Sequence, residues 1–438
     1  MKRLFNFILF FQLLLMTGAC QKQPLPHKQL KLPVPQPKFP TNLELVWLSP
    51  LCLDSAGGST IWNFQVANGQ YIVVANIYDR DEGDRPRGIG VYNMQTGKRH
   101  SAWQNDPGGI FAITEVEELD DCKTAGKNKD VILIYNQRAL FGYSLHSGQR
   151  LWTATIKSPT SMGIPKMSAD ENYAYISYTP NGIISNSWSR LANVDVYSGK
   201  KTDILTLYAE DNYSFCINPP SSYVVSNGDT LLFFTTDCGN YDTHHGRGSA
   251  YCYNLTQKQM VWEHKQFTTT DMGASSFNPP PFVIENDKLI ITTRKQITCL
   301  NKNTGDLIWQ SGELGLADRP PLYWEGKLYI RSGDPCILMC LDAQTGLQLW
   351  KNTKINPIPA PDGRMAIYKD KLYFSAWGDN ATHHLACVDI NTGRELWRDR
   401  GAWGNIVCDV LIDQKTGYLY CYTGWGTMCI DLNKTPKK

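Results

Sequence analysis

One motif returns along this chain and limits what the chain can become. It reads VYNMQTGKRHSAW from Val91, GYSLHSGQRLW from Gly142, TCLNKNTGDLIW from Thr298, MCLDAQTGLQLW from Met339 and ACVDINTGRELW from Ala386. Degenerate copies are VDVYSGKKTDIL from Val194 and YCYNLTQKQMVW from Tyr251. Asn301, Asp342, Asp389 and Asp431 stand 41, 47 and 42 residues apart. Self-similarity at this period marks a repeat architecture, in which each unit buries its apolar face against its neighbours.

Each copy has the chemistry of two strands and a tight turn. An alternating apolar stretch ends at Asp or Asn, whose side chain can accept from the backbone amides ahead of it. Thr-Gly or Ser-Gly follows, and glycine supplies the positive φ of a short hairpin. Upstream of each copy lies a further β-rich stretch: YIVVAN from Tyr71, VILIYN from Val131, YAYISY from Tyr173, LLFFTT from Leu231, KLIITT from Lys288, KLYIRS from Lys327, KLYFSA from Lys371 and YLYCYT from Tyr418. Before these comes another apolar piece joined by a polar turn, as in PPLYWEGKLYI and PPPFVIENDKLI. The β-branched and aromatic content favours strands, and no helical period stands out. The expectation is an all-β chain of four-stranded antiparallel units, arranged radially as a β-propeller.

The signature Asp-x-x-Thr-Gly-x-x-x-Trp is complete at Asp342–Trp350 and Asp389–Trp397. It resembles the pyrroloquinoline-quinone (PQQ)-like propeller repeat, and the copies span residues 43–433. In that family the tryptophan docks between adjacent blades. The resemblance therefore implies structural roles for Trp103, Trp152, Trp262, Trp309, Trp350 and Trp397. Seven turns are visible, and an eighth blade is split: TMCIDLNK, Thr427 to Lys434, lacks an outer strand, which Leu43-Glu44-Leu45-Val46-Trp47 can supply. Eight blades over 43–433 give roughly 49 residues each, near the usual propeller period. Trp47 then joins the docking tryptophans, and the two chain ends close the ring.

The N-terminal nineteen residues read as an export signal: Lys2 and Arg3, an apolar run from Leu4 to Met16, then Thr17-Gly18-Ala19-Cys20. The run is too short to span a bilayer stably. The segment resembles a lipoprotein signal with Cys20 as the lipidated residue, although Thr17 stands where that pattern more often has Leu. Residues 21–42 hold six prolines, four lysines and no acid, the composition of an extended tether. The expected organisation is thus 1–19 signal, 20–42 lipidated tether, and 43–434 propeller. Without Lys2 and Arg3 the remaining 41 basic residues balance 41 acids, which argues against a nucleic-acid footprint.

Of the thirteen cysteines, Cys252, Cys299, Cys340, Cys387 and Cys429 recur at one repeat position, as small buried strand residues would. Pairing of Cys216 with Cys238, or of Cys336 with a neighbour, stays open on sequence alone. Quinoprotein dehydrogenases share the repeat but add an adjacent cysteine pair, a calcium site and a catalytic Asp. This chain has no Cys-Cys dipeptide and no evident oxygen-ligand cluster. No catalytic residue, cofactor or metal is expected. The pairs His244-His245 and His383-His384 sit before third strands, and neighbours on a strand point to opposite faces, which disfavours chelation.

Recognition then falls to the loops. Three are long: from Asp79 with Arg80, Arg85 and Arg87, from Thr179 with Trp188, and from Thr236. Trp377 and Trp425 each follow the second strand of a blade. Arginine and aromatic side chains dominate binding hot spots, so Arg80, Arg85, Arg87, Trp188, Trp377 and Trp425 are the candidate partner-binding residues. A lipobox cysteine, eight blades and the missing enzyme equipment together resemble the BamB-type accessory lipoproteins of outer-membrane β-barrel assembly. That resemblance implies an outer-membrane, periplasm-facing scaffold with envelope proteins as partners and the lipid as its membrane contact. A glycan-binding propeller using Trp188, Trp377 and Trp425, and a quinoprotein dehydrogenase, are the alternatives.

Overall fold

The β-rich segments pair as their alternation demands. In the computed structural model Tyr71–Ile77, Val131–Tyr135, Tyr173–Tyr178, Thr230–Asn240, Lys288–Thr292, Lys327–Gly333, Lys371–Trp377 and Tyr418–Thr423 are each the second strand of a sheet. The structure describes residues 43–50, 60–77, 88–103, 111–112, 121–135, 139–156, 167–178, 188–208, 214–240, 245–270, 279–292, 296–312, 314, 320–333, 336–355, 364–377, 383–399, 410–423 and 426–435. Among these, eight antiparallel sheets form and the helical content is a single 3-10 turn, Ser101–Trp103. Seven of the sheets have four strands. The fourth blade has five, because its first strand is broken into Ser214–Ile217 and Ser221–Val224, both paired with Thr230–Asn240. Two prolines, Pro219 and Pro220, separate the pieces and remove the amides a continuous ladder would use.

The eighth blade is built from both ends of the chain. Leu45–Pro50 pairs antiparallel with Gly426–Asp431, with Trp47 opposite Cys429. Closure of the ring is also visible in the packing. Among the described residues the apolar core divides into clusters that each straddle two consecutive blades: blades one and two through Val73, Val91, Ile132 and Phe141, blades two and three through Leu133, Ala174 and Val194, and so on round the ring. The last of them joins Tyr420, Tyr422 and Cys429 of blade eight to Phe64, Ile72 and Tyr92 of blade one. Among the described residues each of the eight seams thus carries its own apolar cluster.

A repeated lock holds six of the seams. Trp152 Nε1 donates to Val196 O at 2.8 Å, Trp262 to Lys302 O at 2.9 Å, Trp309 to Ala343 O at 3.1 Å and Trp350 to Ile390 O at 2.9 Å. Each acceptor follows the Asp or Asn that opens the next blade's turn. Trp47 does the same to Met94 O across the closing seam, at 3.0 Å. Trp103 reaches Leu145 O at 2.6 Å, although it lies in the 3-10 turn and not on an outer strand. Trp397 is half-buried against Tyr373, centroids 6.0 Å apart, within the cluster of blades seven and eight.

The partner of the indole is a turn glycine. A Cβ on Gly346, at φ +70, would lie 2.5 Å from the Trp309 ring, and Gly97, Gly199, Gly305 and Gly393 stand in the same relation to Trp47, Trp152, Trp262 and Trp350. On its own blade each docking tryptophan that lies on a strand faces a small residue: Trp262 pairs with Cys252, Trp309 with Cys299, Trp350 with Cys340, Trp397 with Cys387, Trp47 with Cys429 and Trp152 with Gly142. The recurrent cysteines are thus the floor beneath the indoles. Burial pushes the Cys252, Cys299, Cys387 and Cys429 thiols up to about 12, so they are inert packing groups. The ladder pairs Cys216 with Asp237 and Cys238 with Phe215, so those two cysteines are not register partners. Cys336 stands opposite Gly333.

Candidate functional site

Strand direction sorts every connection to one of two rims. The Asp/Asn turns and the hairpins between first and second strands lie on one, here the turn rim. Its carboxylates and amides are consumed locally. Asp342 Oδ1 accepts from Gln344 N at 3.0 Å and Thr345 N at 2.8 Å, and Asp195, Asn301 and Asp389 repeat the pattern. The Thr345 hydroxyl and the amides hold Asp342 below the ordinary carboxylate value. At Asp389, partial burial works the other way, but the Thr392 hydroxyl and two amides outweigh it. The polar groups of these turns are therefore satisfied within the turns themselves.

Second strands end and third strands begin at the opposite rim, and the sequence between them varies in length. The strands flanking 78–87, 179–187 and 241–244 all end on it. Trp188 is the first residue of the third strand of blade three, and Trp377 the last residue of the second strand of blade seven. His245 and His383 each begin a third strand, where sequence reasoning had put them just before it; His384 is buried opposite Ala376. Topology therefore brings Trp188 and Trp377 to one rim. Arg80, Arg85, Arg87, Trp425 and His244 lie outside the described residues, as does Cys20.

Blade three carries the best-defined surface on that side. Trp188 pairs with Tyr208, which is 69% exposed, and Arg190 pairs with both Tyr178 and Thr206. The Arg190 guanidinium lies over the Trp188 ring, 5.5 Å from its centroid. Arg190 Nη1 reaches Asp203 Oδ2 at 3.0 Å, and its Nε donates to Thr206 Oγ1 at 3.1 Å. Tyr178 OH donates to Asp203 Oδ1 at 2.6 Å, and Lys201 Nζ donates to Tyr178 OH at 3.1 Å. Desolvation works against the Arg190 charge, but bonds to Tyr178 and Asp203 raise its pKa on balance.

This cluster lies on the face of blade three that looks toward blade two, where Tyr178 and Ala192 pack in the shared core. Asp203 is the fourth residue after Gly199, the place that holds tryptophan after Gly148, Gly305, Gly346 and Gly393. The bulge that elsewhere precedes the tryptophan is shifted here to Ile204, so Asp203 pairs with Ala192. A Trp188–Arg190–Tyr208 row, with the guanidinium fixed by hydrogen bonds and Tyr208 exposed, can grip a planar or acidic group on a partner. With the guanidinium over it, Trp188 offers a sugar one face fewer than a bare stacking platform. Arg190 and Tyr208 are the residues that sequence reasoning missed. The available signal was the absence of tryptophan after Gly199.

Comparison with known proteins follows the same lines. Residues 246–405 match the family model described as "Outer membrane protein assembly factor BamB". BamB from Moraxella catarrhalis is similar in structure with a TM-score of 0.50 at 12% identity, covering 89% of this chain and 97% of that one. The computationally designed Ika8 protein gives 0.55 at 12% identity, covering 89% and 100%. Quinohemoprotein alcohol dehydrogenase from Comamonas testosteroni gives 0.56 at 12% identity, covering 88% of this chain and 73% of that one. At these identities the likeness is one of fold. No curated protein sequence matches the chain.

Proposed function

Working from a chain of the PQQ-like β-propeller type, we propose that it is a non-catalytic scaffold of the cell envelope. A lipid on Cys20 holds it at the periplasmic face of the outer membrane, and it presents the variable rim to a protein partner of outer-membrane protein assembly. The observation that carries this reading is the third blade, whose outer two strands bring a half-buried Trp188, an Arg190 fixed by Asp203 and an exposed Tyr208 into one row at the variable rim. The family match over residues 246–405 supports the assembly role. The lipoprotein-like segment before Cys20 supports the anchor, and the lack of a Cys-Cys dipeptide counts against quinone chemistry.

The test is affinity capture from detergent-solubilised envelopes with the intact chain and with a Trp188→Ala/Arg190→Glu double variant. The intact chain should enrich a barrel-assembly component, and the variant should lose about tenfold, the factor expected when one hot-spot residue worth about 1.4 kcal/mol goes. Circular dichroism should be unchanged, and the melting temperature should fall by no more than a few degrees, the cost of the lost Arg190–Asp203 pair. Equal capture by the variant, or no barrel-assembly component at all, would overturn the proposal.

A further inference from the structure

The turn rim is regular in backbone and sharply uneven in side chains. At the first three positions after the turn glycine, blade one has Lys98, Arg99 and His100, blade three has Lys200, Lys201 and Thr202, and blade seven begins with Arg394 and Glu395. Blades four to six, between them, carry aliphatics at these places. Leu307 and Ile308 are 54% and 43% exposed, Leu347 and Leu349 are 68% and 49%, and Met260 and Val261 are 36% and 45%. Part of this is explained by the lock itself. The residue before each docking tryptophan is the bulge, turned outward and unpaired, and Leu151 and Val46 are exposed for the same reason. Leu307, Leu347 and Met260 are not bulge residues, and equivalent places in blades one to three are mostly basic.

The arc shares its rim with the entry of the chain. Glu44 O accepts from Asp431 N at 2.9 Å, the bond that Leu347 and Arg394 make at their own turns. Leu45–Pro50 therefore starts at the turn rim and runs away from it, and the segment that leads back to Cys20 joins there. Every exposed member of the arc is Leu, Ile, Val or Met. That composition is poor in the aromatic and arginine groups that make protein hot spots, and it suits partition into lipid with cationic flanks.

We infer that the aliphatic arc of Met260, Val261, Leu307, Ile308, Leu347 and Leu349 is a membrane-docking edge. It enters the headgroup boundary of the bilayer that holds the anchor, with Lys200 and Lys201 on one flank and Arg394 on the other. The inference rests on the lipid-anchor reading. It orients the ring with the turn rim toward lipid and the Trp188 side toward the aqueous space.

The experiment uses the full mature lipoprotein in vesicles of phosphatidylethanolamine with phosphatidylglycerol as the minor component, doped with a diazirine phospholipid. Crosslinked peptides are mapped by mass spectrometry. Crosslinks at 259–262, 306–310 and 346–350 are expected, and Leu307→Asp/Leu347→Asp should lower their yield by about tenfold or more, as two lost aliphatic insertions require. The chain should still sediment with the vesicles. Sedimentation without crosslinks at the arc, or with crosslinks on the opposite rim, would refute the docking edge and leave the anchor standing. Failure to sediment would refute the anchor and the inference with it. Crosslinking of the same peptides to a protein in native envelopes, in place of lipid, would also overturn it.

Discussion

The seam between blades five and six and the seam between blades three and four solve one problem in opposite ways. At the first, Trp309 sits on Gly346, bonds to Ala343 O and faces Cys299 on its own strand. At the second, all of these parts are replaced. Thr202 stands opposite Asn193 where Trp–Cys pairs stand elsewhere, and the glycine place in the next turn is Lys258, forced to φ +57. Leu191, Leu232, Phe234, Tyr251 and Tyr253 pack this seam instead, with Phe234 stacked on Tyr251 at 5.1 Å. At this seam the tryptophan and its glycine are lost together.

The comparison breaks first at the indole. Trp309→Ala removes a buried aromatic and leaves a cavity over Gly346, and should cost about 4 kcal/mol in denaturant unfolding. Thr202→Ala, opposite Asn193 in the other seam, should cost under about 1 kcal/mol, since it removes an exposed side chain. Equal losses would mean that the two seams are held alike. Gly346→Val comes next, at about 3 kcal/mol, because it adds both left-handed strain and a clash with the Trp309 ring. Its counterpart has the reverse sign. Lys258→Gly relieves a strained φ with no indole overhead, and should raise stability by about 1 kcal/mol; a destabilised Lys258→Gly protein would show that Lys258 makes contacts worth more than its strain.

Much of this was legible before any coordinates. The second strands are continuous β-branched and aromatic runs, and the one blade with three strands points to the one strand without a blade, so the Trp47–Cys429 pairing follows from counting. The recurrent cysteines were readable as small residues; that they lie under the tryptophans was not, because cross-strand register depends on where each bulge falls. The shifted bulge at Ile204 is a case in point: counting from Gly199 puts Asp203 in the tryptophan place, whereas hydrogen bonding puts it opposite Ala192. Likewise the broken first strand of blade four follows from Pro219 and Pro220 only once the neighbouring strand is known. The aliphatic arc escaped notice because its members lie in different repeats and come together only when the blades stand side by side.

The smallest expected effect separates the turns that use Asp from those that use Asn. Asp342 and Asp389 titrate below the ordinary carboxylate value in the folded chain. A group of this kind stabilises the fold fully above its unfolded pKa, near about 3.9 for Asp, and loses that contribution as pH falls through the lower folded value. The blade-five turn performs the same task with Asn301, which accepts from Asn303 N and Thr304 N and does not titrate. Asp342→Asn/Asp389→Asn should therefore melt near the wild-type temperature at pH 7, because amide oxygen replaces carboxylate oxygen in the same bonds. Between pH 5 and pH 3 the variant should lose less stability than the wild type, by a fraction of a kcal/mol per turn given the exposure of both side chains. Calorimetric melts across that window decide it. Parallel acid losses in the two proteins would show that the turn carboxylates are not what couples this ring to pH.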